Sequence, residues 1–140
     1  MKKVAVVFWS GTGNTAAMAD AVAKGAQAAG ADVTKFEASS FSAGDVDKFD
    51  AIAFGCPAMG SEQLEDSEFE PMFDSVKGSL SGKSIALFGS YGWGDGEWMR
   101  NWEDDCKAAG AALACDSVTA NDAPDDAAVE ACKALGAALA

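Results

Sequence analysis

Three short apolar runs limit what this chain can fold into. Lys3–Trp9 (KVAVVFW), Ala51–Gly55 (AIAFG) and Ser84–Phe88 (SIALF) are each too brief for a helix, and each runs into a glycine-containing loop. Near-continuous apolar runs of this length are expected of strands buried on both faces of a sheet. The segments between them read as helices. Asn14–Ala29 sets Met18, Val22 and Ala26 on one stripe and stops at Gly30. Further helices are expected over Ser67–Val76 and Glu97–Ala109, and from Pro124 nearly to Ala140, where Asp125 and Asp126 favour a helix start. Asp32–Glu37 alternates weakly, as a more exposed strand, and Ala111–Ser117 is expected as a fifth strand. Strands alternating with helices call for right-handed crossovers and a parallel sheet covered on both faces. No linker, repeat or low-complexity tract interrupts the pattern, so residues 1–140 are expected to form one three-layer αβα domain. Ligands of such sheets bind beyond the carboxyl ends of the strands, which directs attention to the loops after strands one, three and four.

Composition removes several classes of function. Ten Lys and Arg against 22 Asp and Glu leave a formal net charge of −12. That excludes nucleic acid, whose phosphates demand a basic surface, and suits a partner with a basic patch. There is no histidine, and Cys56, Cys106, Cys115 and Cys132 form no C-x-x-C pair, so zinc-finger and histidine-based chemistry lack their parts. Cys106, Cys115 and Cys132 are expected as buried thiols. The opening MKKVAVVFWSG lacks the length and cleavage site of a secretion signal. No stretch approaches the ~20 apolar residues of a membrane span. A cytoplasmic location and a monomer are expected.

The first loop, SGTGNT, holds Ser10, Gly11, Thr12, Gly13, Asn14 and Thr15 between strand and helix, with no lysine or arginine. A helix N-terminus offers unpaired N–H groups and a partial positive charge, so neutral donors suffice to hold a phosphate. A Walker A loop would require a lysine that is absent. The dinucleotide fingerprint is matched literally by Gly11, Gly13 and Ala16 with Glu37 further on, although no second substrate domain follows. Four hydroxyl or amide side chains in six residues suit a terminal phosphate monoester. A bare helix cap would need only one.

The loop after strand three, GCPAMGSEQLEDSEFEP, is dense in acids around Met59 and Gly60. The loop after strand four, GSYGWGDGEW, sets Tyr91 and Trp93 among glycines. Aromatic rings on glycine-rich turns either fold back over their own loop or present a flat face to a flat partner. A phosphate cradle and an aromatic platform at one sheet edge suggest a phosphorylated tail joined to a planar ring, as in flavin mononucleotide (FMN). The motifs WSGTGNT, GCPAMGSE and FGSYGWGDGEW, in this order and spacing, resemble those of short-chain flavodoxins of the anaerobic-bacterial type, and the resemblance runs over the whole chain. It implies a flavodoxin-like αβα sandwich with a five-stranded parallel sheet of order 2-1-3-4-5.

The resemblance also implies roles. Ser10 to Thr15 would hold the FMN phosphate. Met59 would cover the inner ring face and Trp93 the outer one. Gly60 and Ser61 would supply backbone groups to the N5 edge, a glycine at 60 permitting a flipped peptide. Glu62 would accept from the ring N3–H, and N–H groups around Gly92 and Trp93 would meet the pyrimidine carbonyl. Pro57, Ala58, Ser90, Tyr91 and Gly94 complete the two ring loops, with Pro57 standing where some relatives carry a phosphate-touching serine. Asn121 is a candidate for a polar contact to the ribityl chain or ring edge.

The function so implied is a low-potential one-electron carrier with non-covalent FMN. It would work between the semiquinone and hydroquinone states and pass electrons between larger redox proteins. A carboxylate ~10 Å from the ring at an effective dielectric of ~40 disfavours an added negative charge by ~0.8 kcal/mol, or ~35 mV. Glu62, Glu65, Asp66, Asp95 and Glu97 are expected on an acidic docking rim for partners with basic surfaces. An FMN-dependent nicotinamide or quinone reductase is the alternative; one arginine in the chain counts against it. A phosphoacceptor signalling domain lacks its acidic pair, aspartate and lysine.

Overall fold

The computed structural model describes residues 2–11, 13–59, 63–92 and 96–140. In chain order the elements are β1 (Lys3–Phe8), α1 (Asn14–Ala28), β2 (Asp32–Glu37), a 3-10 turn at Ala38–Ser40, α2 (Ala43–Val46), β3 (Ala51–Gly55), α3 (Phe69–Lys77), β4 (Ser84–Tyr91), α4 (Glu97–Ala108), β5 (Ala112–Leu113), β6 (Val118–Asn121) and α5 (Asp126–Leu139). The strands pair in parallel in the order β2-β1-β3-β4-β5, with β6 also on β4. The expected doubly wound order is therefore observed.

The two faces of the sheet are chemically different, and strict alternation along each strand makes them so. Ala5 and Val7 of β1, Ile52 and Phe54 of β3, and Ile85 and Leu87 of β4 face one layer. Val4 and Val6, Ala51 and Ala53, and Ala86 and Phe88 face the other. The first layer is aromatic. Phe54 meets Phe73 edge-on with centroids 5.3 Å apart, and Phe69 meets Trp102 likewise at 5.4 Å, which fills the space under α3 and α4. The second layer, under α1 and α5, is mostly alanine and valine, with Met18, Phe88, Leu135 and Leu139 as its large side chains. These two helices approach so closely that a Cβ at Gly25 would lie 2.0 Å from the carbonyl oxygen of Lys133, and one at Gly136 would lie 2.0 Å from that of Val22. Small side chains on this face follow from that approach.

Four local features differ from the sequence reading. The single-turn helices between β2 and β3 carry no periodic signal, and they are held by burial of Phe41, whose ring lies 5.1 Å from Phe36 and 6.3 Å from Phe54. β4 runs three residues beyond Phe88, to Tyr91, because β6 pairs with that extension. The single strand expected over Ala111–Ser117 is instead two segments. Between the pairs Ile85–Leu113 and Phe88–Val118 the chain advances five residues against three on β4, so two extra residues loop out. The Ser117 hydroxyl anchors this bulge by donating to Glu103 Oε2 at 2.7 Å. Finally, α5 begins after Pro124: Asp125 is its cap and accepts from the Ala128 N–H at 2.8 Å.

Candidate cofactor-binding site

Where β1, β3, β4 and β6 end, their loops surround an open cleft of about 220 Å³. Its walls are Trp9, Gly11 and Asn14 from the first loop, Pro57, Ala58 and Met59 from the second, Ser90, Tyr91 and Gly92 from β4 and its loop, and Asp122 after β6. The topology explains the convergence. β1 and β3 are neighbours, and the chain leaves β1 towards β2 on one side and β3 towards β4 on the other, so a crevice opens above the strand ends at this switch point.

The first loop passes into α1 through a glycine. Gly13 sits at φ 94°, a left-handed conformation that side-chain-bearing residues adopt at a cost, and it starts α1 as its cap residue. The Ser10 Oγ accepts from the Gly13 N–H at 3.1 Å and the Ala16 N–H at 3.2 Å. Asn14 and Thr15 open the helix, where N–H groups have no acceptor within it. The Thr15 hydroxyl is buried and lies 3.2 Å from the Ser90 Oγ, tying the first loop to β4 beneath the cleft.

The second loop leaves β3 by continuing its pairing with β4: the Cys56 N–H donates to Phe88 O at 3.1 Å and the Ala58 N–H to Ser90 O at 3.0 Å. Met59 and Gln63 then exchange backbone hydrogen bonds of 2.8 and 2.9 Å. Met59 is the large apolar side chain most open to solvent among the described residues, at 39%. Burial pushes the Cys56 thiol well above the ordinary thiol range, so it stays protonated; it donates to Pro57 O at 3.5 Å.

Of the expected binding residues, Gly11, Asn14, Pro57, Ala58, Met59, Ser90, Tyr91 and Gly92 line the cleft. Thr12, Gly60, Ser61, Glu62, Trp93 and Gly94 lie outside the described residues. Asn121 ends β6 and lines a neighbouring groove beside α5, where its amide donates to Tyr91 O at 3.3 Å. Trp9 and Asp122 are cleft residues that sequence reasoning missed. Trp9 reads as the tail of a strand, and its ring lies against Gly11. Asp122 has φ 56° and donates its N–H to Tyr91 O at 2.8 Å; the turn signal N-D-A-P is the trace it leaves in the sequence.

Glu65 departs from expectation. It is 4% exposed and belongs to no acidic rim. Burial raises its carboxyl pKa, but hydrogen bonds from the Ser67 hydroxyl and the N–H groups of Phe69, Ser67 and Glu68 outweigh that and hold it below the usual carboxylate range. Asp66 and Glu97 are exposed as expected, while Glu62 and Asp95 lie outside the described residues. Cys115 is likewise only half-buried, on the bulge before β6.

The flavodoxin family model matches residues 6–136. The chain belongs to the flavodoxin family. It is 47% identical to a flavodoxin of Megasphaera elsdenii over 98% of both chains, and 43% identical to one from Clostridium beijerinckii over 87% of this chain and 88% of that one. The solution structure of the two-electron reduced Megasphaera elsdenii flavodoxin superimposes with a TM-score of 0.90 over 97% of each chain. Flavodoxins bind FMN and carry electrons without turning over a substrate, so this chain is an FMN-binding electron carrier. The cleft fits such a group. Asn14 at the start of α1 and Ser90 of β4 offer polar groups, and Trp9, Met59 and Tyr91 offer apolar surface. No described helix of this flavodoxin-family chain is long and apolar enough to cross a membrane.

Proposed function

We propose that the chain is a low-potential, one-electron carrier that holds FMN non-covalently in the cleft above β1, β3 and β4. The convergence of the α1 N-terminus, Met59 and the Tyr91–Gly92 segment on one opening carries this reading. FMN supplies the one-electron chemistry when bound. The chain does the rest. Ser10 through Thr15 bind the phosphate with neutral donors, aided by the partial positive charge of α1. Met59 and Trp93 would cover the ring and exclude water, and residues 60–62 would offer backbone groups to its reactive edge. Gly92 and its neighbours orient the polar end of the ring.

The potential is low because added negative charge is disfavoured in a chain of net charge −12, with Asp122 on the cleft wall. The same acidity favours redox partners that present basic docking surfaces, and electrostatic steering would speed their encounter at low salt. We place the carrier in the cytoplasm as a single-domain monomer.

Stepwise anaerobic reduction of the FMN-loaded protein, followed in the visible spectrum, tests the proposal. Two well-separated one-electron steps are expected. Bleaching in one two-electron step, with steady oxidation of a nicotinamide cofactor by the protein alone, would overturn it in favour of a reductase.

A further inference from the structure

The loop carrying residues 57–64 begins and ends on the same contact. Its first limb leaves β3 at Cys56, and its last residue returns through Glu65, whose N–H donates to the Cys56 Sγ at 3.3 Å. Glu65 is then gripped on every side. Its Oε1 accepts from the N–H groups of Glu68 at 2.8 Å and Phe69 at 2.9 Å, while Oε2 accepts from the Ser67 N–H at 2.8 Å and the Ser67 hydroxyl. Its carbonyl accepts from the Glu70 N–H at 2.8 Å.

No ion pair among the described residues involves Glu65, although the side chain is buried in a strongly acidic protein. A buried carboxylate without a cation is tolerated only where donors surround it. A helix cap alone does not explain the arrangement. The cap position of α3 belongs to Glu68, and a single side-chain acceptor there would serve the helix. Here the acceptor comes from three residues upstream, on the residue that also closes the loop onto Cys56.

We propose that Cys56 and Glu65 form a staple that fixes the described limbs of this loop, Pro57–Met59 and Gln63–Leu64, against the end of β3, Glu65 acting as a positioning residue for FMN binding. The proposal rests on the cofactor assignment above. An ordered loop loses less conformational freedom when the ligand arrives, so the staple adds to affinity without touching the ligand.

The test compares Cys56→Ala, Cys56→Ser, Glu65→Gln and the Cys56→Ala/Glu65→Gln double variant. Amide exchange is measured on each apoprotein and the FMN dissociation constant on each reconstituted protein. Cys56→Ala leaves the α3 acceptor in place. It should nevertheless speed exchange at the bridged Met59 and Gln63 amides and weaken FMN about fivefold, the effect of one lost hydrogen bond. Cys56→Ser, which keeps an acceptor, should restore most of both. The double variant should be less impaired than the sum of the singles, as for residues acting as one unit.

If Cys56→Ala leaves exchange and affinity unchanged, and Glu65→Gln speeds exchange only within Phe69–Lys77, Glu65 is a helix cap and the proposal fails. Faster loop exchange with unchanged FMN affinity would also overturn it. Failure of the unsubstituted protein to bind FMN would reject the cofactor assignment, while the exchange data would still report on the staple.

Discussion

The indole Nε1 of Trp98 donates to the backbone carbonyl of Cys56 across 3.2 Å, joining the first turn of α4 to the residue where β3 becomes the second cleft loop. One turn further along, Trp102 is equally buried, at 2% exposure, but its Nε1 finds no acceptor among the described residues. Two tryptophans on one helix face thus serve different purposes, one as packing with a directed hydrogen bond and one as packing alone.

That contrast gives a paired prediction. Replacing either residue by phenylalanine removes similar volume, but only Trp98→Phe leaves a buried carbonyl without its donor. The Trp98 variant should be less stable than the Trp102 variant by about 1 kcal/mol, with the unfolding slope unchanged. Urea unfolding of the two proteins side by side checks it.

The α1–α5 contact sets a second expectation. Gly25→Ala and Gly136→Ala each drive a methyl group onto a backbone carbonyl of the facing helix, and rigid helices yield little. Each should cost roughly 1–3 kcal/mol or more. Gly78→Ala meets nothing within 4 Å and has φ −65°, so it should be neutral or stabilising by up to about 1 kcal/mol. Thermal unfolding of the three variants separates steric approach from a general intolerance of alanine.

Glu65 predicts a pH dependence of definite sign. Its folded pKa lies below the ordinary value of 4.5, so the stability it contributes is fully present above that value. The contribution is lost as pH falls through the lower folded pKa. The stability difference between the unsubstituted protein and Glu65→Gln should therefore be constant from pH 7 to about 5 and shrink below about 4.5. Comparing the two proteins cancels the relief of charge repulsion that acidification brings to both.

The thiols should react in a set order. Burial pushes Cys106 and Cys132 up to about 12 and Cys56 higher still. Cys115, raised by burial and by Asp116, is only half-buried. At pH 8 an aromatic disulfide reagent should label Cys115 alone in the folded protein and all four thiols after unfolding. Peptide mapping identifies the labelled residue.

Asp122 offers an electrostatic test. Asparagine tolerates the left-handed backbone at this position, so Asp122→Asn removes charge from the cleft wall with little strain. The second one-electron potential of the FMN-loaded protein should rise by ~35 mV if the carboxylate stands ~10 Å from the ring, and by less at high salt. Potentiometry at two ionic strengths measures both effects.

Legibility in the sequence followed burial. β2 matches through its weak alternation alone, with no residue buried, whereas β3 lies where its pattern places it because all five of its residues are buried. α1 and α4 end within one residue of expectation for the same reason. The single turns near Phe41 were illegible, since three or four residues carry no period and their stability comes from rings far away in the chain. The bulge before β6 was equally hidden. Register depends on what β4 offers opposite each residue, and a run such as Ala111–Ser117 looks uniform until its partner is known.

In the site, Gly11 and Asn14 of SGTGNT and Tyr91 of the glycine-rich loop line the cleft, and residue type alone points to them. It does not point to Trp9 and Asp122, since nothing local separates a strand-end tryptophan or a turn aspartate from one that lines a cleft. Glu65 stands for the same divide. Amid five acids in nine residues its charge looks like its neighbours'. What distinguishes it is the meeting of Cys56 with the first turn of α3, which supplies the donors a buried carboxylate must have. By itself the sequence determined the alternation, the sheet and the chemistry of the loops, because those depend on residues near one another. Only the tertiary structure decided which acid is buried and which faces solvent, because the local N–H groups of Ser67, Glu68 and Phe69 close on Glu65 where its backbone is held against Cys56 at the end of β3.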